Sequence, residues 1–236
     1  MALDTINLNT KPETSGSKNP WDDYWKVHFK NKTGQKLLFL LRTKLIARAV
    51  RHFIEIYFDD NGVFVEMGSG SSQTSALINK KYRKLYALDF AFDALDHARE
   101  IPVIDGGIQG NLFSLPFLSD SIDGIWNLGV MEHFTDSDIN KIFAEFYRVL
   151  KPGSCAILFW PPLIGWYKAG SVILESILSV LKGKRIKLYP DEINLFRSKS
   201  KIDAFCNERG FVLEYCCSIH LDFFNHVVVV IRKHCN

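Results

Sequence analysis

Hydrophobic and polar positions change rhythm several times along this chain, and each change marks an element. Residues 1–20 are rich in Asn, Thr, Ser, Lys and Pro with no period, which predicts a flexible tail. Trp21, Tyr24, Trp25, His28 and Phe29 then recur at three- and four-residue spacing, one face of a short helix. Leu37, Leu38, Leu41, Leu45, Ala49, Val50, Phe53, Ile54 and Tyr57 keep that spacing with Lys and Arg between them, predicting a longer helix. Residues 21–58 form an N-terminal helical region on this reading, and 59–236 form the main domain.

Beyond a turn at Asp59, Asp60, Asn61 and Gly62 the pattern becomes strand, turn, helix, strand. Short apolar runs predict strands at Val63 to Glu66, Leu85 to Leu88, near Gly107 to Gln109, Ile122 to Trp126 and Cys155 to Trp160. Gln73 to Lys80 can form a helix. Asp136 can cap a helix whose stripe is Ile139, Ile142, Phe143, Phe146, Val149 and Leu150, with Lys151, Pro152 and Gly153 ending it. Ser200 to Arg209 predicts another helix, stopped by Gly210. Phe211 to Cys217 and His226 to Ile231 form a plausible antiparallel pair. Alternating strands and helices imply an α/β fold, a doubly wound and mostly parallel sheet covered on both faces.

Residues 161–197 break the alternation, being far longer than the ~2–6 residues usual for such connections. They hold an apolar helical stretch, Val172 to Leu181, followed by the basic residues Lys182, Lys184, Arg185 and Lys187. Insertions of this kind are often substrate caps. This one could line an apolar pocket, rest on a membrane surface, or simply pack within the molecule.

Composition narrows the classes. Hydrophobic residues make up 47% and charged residues 23% of 236, enough for a substantial core. The net charge of +3 comes from dispersed Lys and Arg, so no nucleic-acid partner is expected. Five cysteines without a CxxC pair argue against a disulfide framework and against a zinc site, and no metal is expected. The polar N-terminus lacks a signal-peptide core and no apolar run approaches the ~20 residues of a membrane span, so the expected location is cytoplasmic. The sequence leaves the oligomeric state open.

The chemistry gathers around Val63-Phe64-Val65-Glu66-Met67-Gly68-Ser69-Gly70. Glycines let the backbone turn tightly against a ligand, and the N-terminus of a following helix would offer unpaired amides. This turn serves nicotinamide and other nucleotide cofactors alike, and also occurs without any ligand. Asp89 lies nineteen positions after Gly70, at the end of the second strand, where a carboxylate can accept both ribose hydroxyls. It could instead cap the helix starting near Ala91. Glu66 separates the cofactors: a carboxylate beside the glycines would repel a pyrophosphate but favour an ammonium or sulfonium.

Glu66-Met67-Gly68-Ser69-Gly70, Leu88-Asp89, Leu115-Pro116-Phe117 with Asp120-Ser121-Ile122-Asp123, Val130-Met131-Glu132-His133-Phe134 and Arg148-Val149-Leu150-Lys151-Pro152-Gly153 occur in order. Together they resemble the class I S-adenosylmethionine-dependent methyltransferases, specifically the small-molecule type 11 group, over roughly residues 60–160. The resemblance implies a seven-stranded Rossmann-like sheet with S-adenosylmethionine at the carboxyl ends of the first strands. It also implies roles. Glu66 would meet the methionine amino end, Gly68, Ser69 and Gly70 would line the cofactor, and Asp89 would hold the ribose. Phe90 would pack on the adenine, with Asn111 and Leu112 reading its edge. Asn127, Leu128 and Gly129 would lie beside the sulfonium and methyl.

Two positions depart from the family pattern. Ser72 replaces the third glycine, tolerable if its backbone stays in a common region, and Asn111 replaces the usual acidic residue. His133 is a candidate general base, or else it and Glu132 merely fix the loop. Tyr24 and Trp25 are candidate lid residues over the cofactor, or simple packing. The expected reaction is methyl transfer to a small-molecule or lipid-like acceptor, first at oxygen. Carbon methylation stays open because the Glu-His-Phe stretch is similar to that of fatty-acyl cyclopropane synthases. A non-catalytic partner subunit and a nicotinamide oxidoreductase are the competing classes.

Overall fold

The structure is a computed structural model and describes residues 41–163, 192–222 and 226–235. The tail, the aromatic stripe with Tyr24 and Trp25, and the helical stretch expected at Val172 to Leu181 lie outside the described residues.

A π-helical turn, Leu41–Ile46, leads into α1, Ala47–Tyr57, and the predicted stripe Ala49, Val50, Phe53 and Ile54 is its buried face. The strands are β1 (Asn61–Met67), β2 (Tyr82–Asp89), β3 (Gly106–Gln109), β4 (Ile122–Leu128), β5 (Leu150–Trp160), β6 (Phe211–Ser218) and β7 (Val227–Lys233). They form one seven-stranded sheet in the order β3-β2-β1-β4-β5-β7-β6. The first five are parallel, and β7 pairs antiparallel with both β5 and β6. The mixed, mostly parallel sheet expected from the alternation is present.

Successive strand residues point to opposite faces, so the sheet feeds two apolar layers. Phe64, Leu85, Trp126, Ile157, Phe159 and Val228 pack on one side with α1 and with α2, Phe92–Ala98. Val65, Met67, Ile125, Leu158 and Val229 pack on the other with α3, Asp136–Val149, and α4, Lys199–Arg209. Each fully buried side chain of this size stabilises the fold by roughly 1.5–3 kcal/mol.

Polar anchors fix where the strands begin and end. The buried Arg83 guanidinium donates to the carbonyls of Phe58, Asp59 and Asn79, tying the entrances of β1 and β2 together. Lys233 at the end of β7 donates to the carbonyls of Tyr147 and Leu150, at the negative end of α3. The Leu115-Pro116-Phe117 stretch is held to α3: Arg148 donates to the Leu115 and Phe117 carbonyls, while Glu145 accepts from the Leu115 amide. Two of the sequence motifs are thus one structural clasp.

Four expectations need correction. Gln73 to Lys80 is not a helix; only one 3-10 turn forms, Gln73–Ser75. Eight residues are too few to stabilise a helix alone, Ser75 turns its hydroxyl inward, and Lys81 sits at φ 46°. The turn at 59–62 is shorter than expected because β1 already starts at Asn61. Thr135, not Asp136, caps α3, accepting from the Asp138 amide. The helix ends at Val149, before Lys151, Pro152 and Gly153, and the strand expected from Cys155 already starts at Leu150, so Leu150 and these three residues belong to β5. The Gly210 stop, at φ 77°, is as expected.

The long connection closes on itself at its base. Phe196 donates its amide to the Pro161 carbonyl, and Leu163 donates to the Phe196 carbonyl. Residues 161–163 and 192–197 therefore form a neck beside the carboxyl end of β5.

Candidate active site

In the order β3-β2-β1-β4-β5 the chain runs outward in both directions from the middle, leaving a topological switch point between β1 and β4. Ligands in open parallel sheets bind in the crevice outside the carboxyl ends of strands at such a point. The ends of β1, β2 and β4 and the loops that follow β1, β2, β3 and β4 lie here, and together they carry every expected cofactor residue that the structure describes.

Gly68 follows β1 at φ 66°, and a Cβ there would meet Val130 Cγ2 at 2.8 Å. Both the left-handed backbone and the close approach require glycine. The Ser69 amide donates to the Leu88 carbonyl at 3.0 Å, and the Gly70 amide to Asp89 Oδ2 at 2.7 Å. Asp89 Oδ1 accepts from the Ala91 amide at 2.9 Å. Asp89 is therefore the clasp between the loops after β1 and β2, not a side-chain cap of α2. A carboxylate oxygen can accept two hydrogen bonds, so holding a loop amide is compatible with holding a ribose hydroxyl.

Ser72 corrects one expectation. Its backbone lies at φ 50°, ψ 20°, the left-handed region, so the glycine it replaces had a conformational reason. The helix N-terminus expected after the glycine loop is replaced by the single turn Gln73–Ser75.

Glu66 is 2% exposed near the end of β1, on the α1 side of the sheet. Ser75 Oγ donates to its Oε2 at 2.8 Å, and the Trp126 indole donates to Ser75 Oγ at 3.2 Å. Burial pushes the carboxyl up to about 7. A nearby ammonium would restore its charge, which suits the role that the resemblance implies.

Phe90 is largely exposed after β2, where a flat ring can cover a base. Leu112 is buried, whereas Asn111 is exposed and its Oδ1 accepts from the Phe113 amide at 2.9 Å. The Asn111 carbonyl oxygen thus shapes its own turn, leaving the amide nitrogen as the group that would meet a base edge.

At the end of β4, Asn127 is fully buried, and neither its Oδ1 nor its Nδ2 meets a hydrogen-bond partner among the described residues. Leu128 is half-buried on the opposite face, and Gly129 follows at φ 70°. His133 closes a 3-10 turn, Met131–His133, with Nε2 3.7 Å from Glu132 Oε1. The residues present fit the group that the resemblance implies. Two acidic side chains and a loop without a Cβ at its tightest point lie at the carboxyl ends of β1 and β2, and an unsatisfied buried amide lies at the end of the neighbouring β4.

Two site features were missed by sequence reasoning. Glu132 is 3% exposed, and burial pushes its carboxyl up to about 8. Its place in the Glu-His-Phe stretch was visible, its burial was not. The neck of the long connection is tied to the same turn: the Ile193 and Asn194 amides both donate to the Glu132 carbonyl, at 2.8 and 2.9 Å. Nothing local in the sequence signals that contact.

Residues 65–158 match the family model described as a methyltransferase domain. Among curated proteins, the chain is 34% identical over 98 residues to a malonyl-[acyl-carrier protein] O-methyltransferase of Yersinia pestis, covering 41% of this chain and 35% of the relative. The matched part thus spans about a third of that relative's length. Among solved structures, an S-adenosylmethionine-dependent methyltransferase from Methanosarcina mazei superposes with a TM-score of 0.58 at 16% identity, over 78% of this chain and 98% of that one. Magnesium protoporphyrin IX methyltransferase from Synechocystis, with bound S-adenosylhomocysteine, gives 0.59 at 13% identity, over 89% and 93%. Among the described residues no helix is long and apolar enough to cross a membrane.

Proposed function

We propose that this chain, which carries a class I S-adenosylmethionine-dependent methyltransferase domain, moves the cofactor's methyl group to an oxygen atom of a small-molecule or lipid-like acceptor. The observation that carries the reading is the placement of Glu66, the Gly68–Gly70 loop, Asp89 and Asn127 at the carboxyl ends of β1, β2 and β4, around the switch point between β1 and β4. S-adenosylmethionine supplies a methyl group on a positively charged sulfur.

The chain's own residues supply the rest. Asp89 and Phe90 would hold the nucleoside, Glu66 the ammonium, and Asn127, Leu128 and Gly129 would border the reacting end. Asn111 and Leu112 would read the base edge, and Tyr24 and Trp25 remain the candidate lid. Residues 193 and 194 of the neck lie against the turn that bears Glu132 and His133, which supports a substrate-cap role for the insertion that the neck bounds. The O-methyltransferase named among the relatives supports oxygen as the attacking atom. A nicotinamide cofactor fits poorly, since its pyrophosphate would face the Glu66 carboxyl beside the glycine loop, whereas Asp89 suits the ribose of either cofactor.

Calorimetric titration with S-adenosylhomocysteine and with NADH tests the reading on wild type and Asp89→Ala. Saturable binding of the thioether, weakened about tenfold or more by the substitution and absent for NADH, is the expected result. No binding at high protein concentration would overturn it.

A further inference from the structure

The interior beside the end of β4 holds polar atoms that the fold itself does not satisfy. Asn127 presents an unpaired amide, and Glu132 presents an unpaired Oε2, among the described residues. Both side chains are almost completely buried. Glu132 Oε1 lies 3.3 Å from where a Cβ on Gly129 would stand, so its carboxyl sits against the glycine two residues beyond Asn127. Apolar Val130, Met131 and Trp160 are buried in the same layer. Leaving a buried polar group without a partner costs about 1–3 kcal/mol, so two of them within six positions of chain, on either side of Gly129, call for a ligand.

We infer that Asn127 and Glu132 form the acceptor subsite, and that they select a carboxylate. The inference rests on the methyltransferase reading and names its acceptor class. An uncharged carboxyl and a primary amide are both hydrogen-bond donors, suited to an acceptor oxygen that carries negative charge. A buried carboxylic acid is uncharged until pH exceeds its raised range, so Glu132 does not repel an anionic guest near neutral pH. A hydroxyl acceptor would need a base to remove its proton, a part that an uncharged Glu132 cannot play and that would fall to His133 alone. A carboxylate needs none. One oxygen lone pair forms the bond to the methyl carbon, and the carbon–sulfur bond breaks with its pair left on sulfur. No proton moves, and the charges of carboxylate and sulfonium cancel as ester and thioether form.

The titratable groups facing Glu132 are His133, at 3.7 Å, and Glu192 on the far limb of the neck. On α3, Asp136 is engaged with Lys201 and Asn194. The neck positions Glu132 through the two amides that hold its carbonyl.

The test uses full-length protein saturated with S-adenosylhomocysteine and titrated calorimetrically with octanoate, succinate and benzoate, each against its amide, from pH 6.5 to 9. At least one carboxylate should bind about tenfold tighter than its amide, and Glu132→Ala should lose that preference with S-adenosylhomocysteine affinity kept within about twofold. Wild-type carboxylate affinity should fall as pH rises through about 8, where Glu132 ionises, while Glu132→Gln keeps a donor and stays flat. Asn127→Leu should raise the unfolding midpoint yet weaken carboxylate binding, which separates a binding role from a folding one. Equal binding of acids and amides, or the same pH dependence in Glu132→Gln, would overturn the inference. Failure of wild type to bind S-adenosylhomocysteine would instead remove the methyltransferase reading on which it stands.

Discussion

At Ser72 the backbone enters the left-handed region, and there a Cβ crowds the following carbonyl at a cost of about 1–2 kcal/mol. Its hydroxyl is buried beside the Glu66 carboxyl, without a well-formed hydrogen bond. Ser72→Gly removes the backbone penalty, offset in part by the greater freedom of glycine in the unfolded chain and by loss of the hydroxyl beside Glu66. The expected net gain is about 1 kcal/mol, raising the melting temperature by about 2–4 °C for a domain of this size. Thermal unfolding followed by circular dichroism checks it, and a lower midpoint would show that the serine does something the geometry does not reveal. Gly68 is the contrasting case, since a side chain there would meet Val130 as well as the backbone constraint.

Among the elements, the neck is where the insertion and the site meet. The Asn194 amide nitrogen donates to the Phe134 carbonyl at 3.1 Å and to Asp136 Oδ1 at 2.6 Å, and its oxygen accepts from Lys201 at 3.0 Å. Its backbone carbonyl accepts from the buried Trp160 indole at 2.6 Å. One residue thus joins β5, the 3-10 turn, α3 and α4. Asn194→Ala should destabilise the protein by about 1 kcal/mol through loss of these part-buried side-chain bonds, lowering the melting temperature by about 2–4 °C. The mutant should also lose protection of the Ile193 and Phe196 amides in hydrogen exchange before the sheet opens. Unchanged protection would mean that the neck is held by its backbone bonds alone.

For the whole molecule, the two buried acids set an unusual pH dependence. The folded values of Glu66 and Glu132, about 7 and about 8, stand above the ordinary value of 4.5. The folded state therefore binds protons that the unfolded chain has released. The associated stability is fully present below about pH 4.5 and is lost as pH rises through about 8. Asp105, Asp136 and Glu145 act in the opposite sense, held below their ordinary values in spite of burial by Lys80, by Lys201 and Asn194, and by Arg148 respectively. Their contribution is lost only as pH falls through those lowered values. Urea midpoints should accordingly peak on the acidic side of neutrality and decline toward pH 8.5. Glu66→Gln with Glu132→Gln should flatten that decline, and a midpoint that rises steadily to pH 8.5 in wild type would refute it.

Local order decided much of this protein before any tertiary contact formed. The stripe of α1, the strands β1 to β5, the Gly210 stop and the cofactor loops all follow from period, glycine placement and motif order, because each is specified within a dozen neighbouring residues. The tertiary structure decided what depends on distant partners. Residues 73–80 lost their helix when Ser75 turned inward to Glu66, a contact with a strand nine residues away. Ser72 took the left-handed turn because both ends of its loop are pinned. Burial of Glu132 and Asn127, and the grip of residues 193 and 194 on the Glu132 carbonyl, arise from packing across about sixty positions of chain. No window of sequence contains them, since what makes an ordinary Glu or Asn a site residue is the removal of water, and only the assembled fold removes it.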